Sequence, residues 1–170
     1  MKLTDFIRDI PDFPKKGIIF KDITPLLKDA EAFSEMIEQF AGKYKGKKID
    51  KIAAIESRGF IVGAALALKL GCGFIPVRKK DKLPYRTIRQ EYQLEYGTDI
   101  LEIHKDAVEK GENVLIVDDV LATGGTARAV CELIGKLNGN IVGLCFLIEL
   151  KFLKGKNKLK KYKVTSLIEY

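Results

Sequence analysis

The chain carries a single histidine, His104, so no mechanism that needs a histidine pair or a Ser-His-Asp triad fits within one copy of it. His104 itself reads as a structural or surface residue. Cysteine is also scarce. Cys72, Cys131 and Cys145 show no Cys-x-x-Cys spacing, and each lies in an apolar stretch that suits a small buried thiol, so disulfide frameworks and zinc sites are excluded. There is no apolar run of about eighteen residues and no N-terminal stretch of signal-peptide type, so the expectation is a cytoplasmic protein with no membrane span. Internal repeats and low-complexity linkers are absent too. At 170 residues and 46% hydrophobic content, residues 1–170 read as one domain with an ample core.

The common nucleotide cradles are missing. None of the Gly-Lys pairs at 42, 46, 135 and 155 has a glycine five residues before its own, and no Gly-x-Gly-x-x-Gly opens a helix, so Walker-type ATP binding is excluded. The formal net charge of +7 suits anionic ligands without choosing between a nucleotide precursor and a nucleic acid. Seven lysines crowd 151–163, which reads first as a solvated surface segment and second as a nucleic-acid patch.

What is present is concentrated in 114–126. Val114 to Val117 suit a strand buried on both faces of a parallel sheet, and the chain is expected to leave the sheet at Asp118. Beyond Thr126, residues Ala127, Val130, Leu133, Ile134 and Leu137 recur at helical spacing, with Thr126 as the expected N-cap. Between them, Ala122, Thr123, Gly124, Gly125 and Thr126 form a turn whose glycines let several amide N–H groups converge on one anion at a helix N-terminus. Asp118 and Asp119 would repel an isolated phosphate, so the ligand should carry hydroxyls beside it, as a ribose 5-phosphate does. Ionised carboxylates accept from such hydroxyls and can help hold a divalent cation through water.

Other strand signatures fall at Ile49–Ile55, Phe74–Val77, Leu101–His104, Ile141–Ile148 and Val164–Ile168, with a helical pattern over Ile61–Leu70. Residues 78–96 are charged, aromatic and aperiodic, and read as a mobile lid or binding loop. Strands alternating with helices predict an α/β fold with a mainly parallel sheet, whose ligands bind at the carboxyl ends of the strands. The turn at Glu56-Ser57-Arg58-Gly59 and the 118–126 loop then fall at one edge.

The 114–126 segment resembles the phosphoribosyl pyrophosphate (PRPP) motif of type I phosphoribosyltransferases. The likeness extends along the chain and narrows to the adenine phosphoribosyltransferase family. Ile10-Pro11-Asp12-Phe13-Pro14 and 17–25 look like its opening segment, within an N-terminal base-covering hood (1–30), and Glu56-Ser57-Arg58-Gly59-Phe60 resembles its pyrophosphate loop. Residues 78–84 and 94–98 are similar to its flexible catalytic loop, and Leu153-Lys154-Gly155 with Ser166-Leu167 resembles its tail. By resemblance, adenine and PRPP give AMP and pyrophosphate with inversion at the anomeric carbon, a purine-salvage step. The 122–126 turn would hold the 5-phosphate, with Asp118 and Asp119 on the ribose. Ser57, Arg58 and Gly59, with Arg78, Lys79 and Lys82, would bind pyrophosphate. Ile19, Phe20 and Arg58 would bind adenine, Glu95 would act at the reacting centre and Tyr96 would pack beside it. Magnesium held mainly by PRPP and water, and a homodimer, are also implied. Another base, or a non-enzymatic PRPP-binding regulator, are the competing readings. For Ile18–Phe20 the plain alternative is a short edge strand in the core.

Overall fold

The structure, a computed structural model, describes residues 1–94 and 97–170. An N-terminal hood is built from β1 (Arg8–Pro11) and β2 (Ile19–Asp22), an antiparallel pair forming its own two-stranded sheet. Ile18–Phe20 therefore does not join the core sheet as an edge strand. Phe13 and Phe20 meet edge to face, with ring centroids 5.2 Å apart.

Helices α1 (Thr24–Lys28) and α2 (Ala30–Lys43) follow. The Asp29 carboxylate caps α2 by accepting from the Ala32 amide at 2.9 Å, and Ala32, Met36, Ile37 and Phe40 bury one helical face. The remaining elements are β3 (Lys51–Ile55), α3 (Arg58–Leu70), β4 (Gly73–Lys79), β5 (Thr87–Gln93), β6 (Thr98–His104), β7 (Asn113–Leu121), α4 (Gly125–Lys136), β8 (Asn140–Glu149) and β9 (Val164–Glu169). The seven-stranded sheet runs β5-β6-β4-β3-β7-β8-β9. Strands β4, β3, β7, β8 and β9 are mutually parallel, and the β5–β6 hairpin adds antiparallel to β4.

From β3 the chain goes first to β4 on one side and later to β7 on the other, so the strand order reverses beside β3. The carboxyl ends of β3 and β7 thus flank a crevice of the kind that binds ligands in open α/β sheets. One core cluster, with Met36, Phe40 and Leu66, packs α2 and α3 on one sheet face; the other, with Val130, Leu133 and Ile134, packs α4 on the opposite face. None of the described helices is long and apolar enough to cross a membrane.

Three expectations need correction. The strand of 114–117 continues to Leu121, with Asp118 opposite Phe146 and Val120 opposite Ile148, so the two acids stand on β7 and not beyond it. Partnering by β8 carries the ladder through residues whose charge suggested an exit. Thr126 lies inside α4; its N-cap is Gly124, at φ 79°, which uses the left-handed conformation open to glycine. The described part of 78–96 is largely sheet: β4 ends at Lys79, and β5 pairs residue by residue with β6, from Thr87↔His104 to Gln93↔Thr98. As an edge strand β5 packs few apolar side chains, chiefly Ile88 and Tyr92, so its composition resembles that of a loop.

Candidate active site

Arg58 is the first residue of α3, immediately after the turn that leaves β3 through a cis Glu56–Ser57 peptide bond. Its Nε lies 2.7 Å from Asp119 Oδ2, and its guanidinium carbon lies 4.7 Å from the centroid of the Phe20 ring. One side chain therefore joins the hood to the acids of β7. Gly59 makes this possible: a Cβ there would stand 2.6 Å from Asp118 Oδ1 and 3.3 Å from Asp118 Cα. Any larger residue would push the start of α3 away from β7.

Asp119 is 6% exposed, and its Oδ2, though close to Arg58, has no well-aligned hydrogen-bond donor. A buried acceptor in that state is matched by a hydroxyl. Asp118 Oδ1 accepts from the Asp119 amide at 2.9 Å. Burial raises the Asp118 carboxyl well above the ordinary carboxylate value, and the neighbouring Asp119 charge adds to the rise.

Beyond the acids, Ala122 to Gly124 turn the chain into α4, whose first amides have no partner within the helix. They surround a small cavity of about 70 Å³, lined by Asp118, Ala122, Thr123, Gly124 and Thr126 among others. A second cavity, of about 230 Å³, brings together Ser57, Arg58, Lys79, Asp118, Asp119 and Thr126. The two share Asp118 and Thr126. The space over the acids and the space at the start of α4 therefore adjoin at these two residues.

Residues 22–169 match the phosphoribosyl transferase domain family. The chain is 59% identical over 170 residues to the adenine phosphoribosyltransferase of Brachyspira hyodysenteriae, covering 100% of both chains. The chain belongs to the adenine phosphoribosyltransferase family. It is 60% identical over 169 residues to the Geobacter metallireducens member, covering 99% of each. The crystal structure of the Thermoanaerobacter pseudethanolicus adenine phosphoribosyltransferase superposes with a TM-score of 0.97 at 58% identity, over 99% of this chain and 98% of that one. The Saccharomyces cerevisiae enzyme, solved with adenine and an imino-altritol bisphosphate, gives 0.93 at 43% identity, over 97% and 96%.

For a phosphoribosyltransferase the sequence placed most of the crevice but not all of it. Of the expected pyrophosphate residues, Ser57, Arg58 and Lys79 line the larger cavity. Arg78 does not: its Nε lies 3.5 Å from Glu56 Oε1, and a terminal nitrogen donates to the Lys82 carbonyl at 3.3 Å. Gly59 acts as a spacer against Asp118. Phe20 is tied to the crevice through Arg58, while Ile19 is exposed beside it. Glu95 and Tyr96 lie outside the described residues. Tyr92, which lines the cavity, was missed. Tyr92 hid in the stretch read as aperiodic, although Ile88 and Tyr92 at an even spacing carry a strand's alternation.

No three or more His, Cys, Asp or Glu side chains converge as a metal site among the described residues. The available donors are the Asp118–Asp119 pair, including the poorly satisfied Asp119 Oδ2. That set fits a magnesium ion held chiefly by ligand oxygens and water, not a protein-built cage.

Proposed function

We propose that this crevice transfers the 5-phosphoribosyl group of PRPP to adenine, releasing pyrophosphate and forming AMP with inversion at the anomeric carbon. The observation that carries the proposal is the double engagement of Arg58, ion-paired to Asp119 and stacked on Phe20, because it puts the ribose side and the base side of one reaction within one side chain's reach.

The amides and hydroxyls of Ala122, Thr123, Gly124, Gly125 and Thr126 hold the 5-phosphate, using the unpaired start of α4. Asp119 and Asp118 accept from the ribose hydroxyls. As the bond from the anomeric carbon to pyrophosphate lengthens and the bond to the adenine nitrogen forms, positive charge grows on the sugar ring. The Asp118–Asp119 pair, with Asp119 beside Arg58, stabilises that charge, an effect commonly worth several kcal/mol. Ser57, Arg58, Gly59 and Lys79 receive the departing pyrophosphate; Arg78 and Lys82 add positive charge at the rim. Asp118 and Asp119, with PRPP oxygens and water, would hold magnesium, which would supply positive charge toward the leaving pyrophosphate. Adenine is held by the backbone around Ile19 and by Phe20 and Arg58. Glu95 handles the proton of the base, with Tyr96 packed beside it.

The enzyme works as a homodimer in the cytoplasm, without nucleic-acid or membrane partners, and residues 1–170 act as one domain. Exposed Ile61 and Leu68 on α3 support a subunit contact. The lysine-rich segment partly pairs with this chain's own acids, Lys151 with Glu169 at 2.9 Å and Lys156 with Glu149 at 2.5 Å, which argues for a structural role.

The test is pyrophosphate release from PRPP and magnesium with adenine, hypoxanthine, guanine, xanthine or orotate in separate reactions. Release with adenine alone is expected. Release with a different base would discard the adenine reading, and PRPP binding without any release would discard catalysis.

A further inference from the structure

Tyr92 is the one residue of the β5–β6 hairpin's first strand that lines the larger cavity alongside Arg58, Asp118, Asp119 and Thr126. Its ring packs against the core cluster under α4, which fixes where the phenol points. The hydroxyl donates to Asp99 Oδ2 at 3.3 Å, and Thr126 lines the same cavity. Asp99 sits directly opposite Tyr92 in the hairpin register, so sheet pairing itself brings the two together. The same Asp99 oxygen lies 3.2 Å from Lys79 Nζ, and the other Asp99 oxygen is fixed by the Ile100 amide at 2.8 Å. A polar line therefore runs Lys79–Asp99–Tyr92. It begins at a cation that lines the crevice and ends on a ring packed beneath α4.

The hairpin meets that turn a second time. A Cβ on Gly125 would lie 3.2 Å from the Gln93 carbonyl oxygen, so the backbone after Tyr92 rests against the start of α4. Two adjacent hairpin residues thus pack at the start of α4, one through its ring and one through its backbone.

We propose that Tyr92 is a positioning residue for PRPP: its hydroxyl holds Asp99, and through Asp99 the Lys79 ammonium, at the pyrophosphate end of the ligand's site, while its ring is fixed beneath α4. The proposal rests on the reading of this crevice as a phosphoribosyl site. The pyrophosphate end draws on Lys79, whose ammonium the Asp99 carboxylate holds and the Tyr92 hydroxyl in turn positions. The pyrophosphate belongs to PRPP, so the line acts on PRPP and not on adenine.

The test compares wild-type enzyme with Tyr92→Phe, Asp99→Asn and the double variant, in steady-state kinetics with PRPP, magnesium and adenine and in thermal melting. Tyr92→Phe keeps the ring and its packing and removes only the hydroxyl. Expected is a rise of about tenfold in the KM for PRPP, as for loss of a hydrogen bond to a charged group, with the KM for adenine within about twofold and melting unchanged. The double variant should be no worse than the worse single variant, since both interrupt one line. Wild-type constants in Tyr92→Phe, equal effects on both substrates, or multiplied effects in the double variant would overturn the proposal. A wild-type protein that makes no AMP at all would instead remove the phosphoribosyl reading on which it rests.

Discussion

Gly124 and Gly155 meet backbone to backbone: a Cβ on Gly124 would collide with the Gly155 carbonyl oxygen and lie 3.2 Å from the Gly155 Cα. The contact is mutual, since a Cβ on Gly155 would collide with the Ala122 carbonyl oxygen and lie 3.1 Å from the Gly124 amide. The 153–155 turn, with Lys154 at φ 53°, is therefore a buttress for the 122–126 turn, the proposed 5-phosphate cradle.

Gly155→Ala should displace that turn by overpacking, at a stability cost of about 1–3 kcal/mol. The expected result is a KM for PRPP raised about tenfold or more with the KM for adenine little changed, since a mispositioned turn loses charge-assisted hydrogen bonds to phosphate. Steady-state kinetics with a denaturant melt measures both. An unchanged KM for PRPP would mean the turn is not where the phosphate sits.

Arg58→Lys keeps the charge and removes the planar fork that reaches Phe20 and Asp119 together. A lysine cannot satisfy both. The KM for adenine should rise about fivefold, in line with the loss of a partly buried cation–π contact. The KM for PRPP should rise in parallel, because the same guanidinium faces Asp119. Kinetic constants for both substrates check this.

Asp118 has its carboxyl raised above 3.8 by burial first and by the Asp119 charge second. The folded chain thus keeps a proton that the unfolded chain has already lost. That contribution to stability is complete below pH 3.8 and declines as pH rises through the raised value. Asp118→Asn has no proton to lose. Its melting temperature relative to wild type should therefore climb as pH rises from 3.8 toward neutrality, and a difference independent of pH would contradict the assignment.

Lys21, on β2 beside Phe20, places its Nζ 3.7 Å from the centroid of the Tyr170 ring while pairing with Asp9 at 2.7 Å. Tyr170 is itself held by two backbone bonds, donating to the Glu149 carbonyl and accepting from the Lys151 amide. The hood is thus pinned to the end of the main sheet. Tyr170→Ala should raise the KM for adenine about two- to fivefold, the size of a lost cation–π contact, and leave the KM for PRPP unchanged.

Where residues carry both a pattern and a chemistry, the sequence was legible. The apolar strand core at Val114–Val117, the acid pair after it, the double glycine and the Ser57-Arg58-Gly59 turn were all read from residue types, and the sheet brings them to one edge, although the strand runs on to Leu121. What escaped depends on tertiary partners. Helix α2 was not anticipated, although Asp29 and the spacing of Ala32, Met36, Ile37 and Phe40 carry it, because it lies among apolar and charged residues with no motif to draw attention. Strand β5 was missed because an edge strand buries little and reads as a loop. The spacer role of Gly59 and the Gly124–Gly155 contact are approaches between distant segments, and no local pattern encodes them.

Whether Asp119 acts on the ribose during transfer, as proposed, is read by a single-turnover measurement on Asp119→Asn. PRPP and magnesium are bound first, adenine is mixed in, and AMP formation is followed alongside PRPP affinity measured without base. A fall of about a hundredfold or more in the chemical step, with PRPP affinity within about tenfold, is predicted for a carboxylate that stabilises charge developing only in the transition state. An unchanged rate of AMP formation would contradict it.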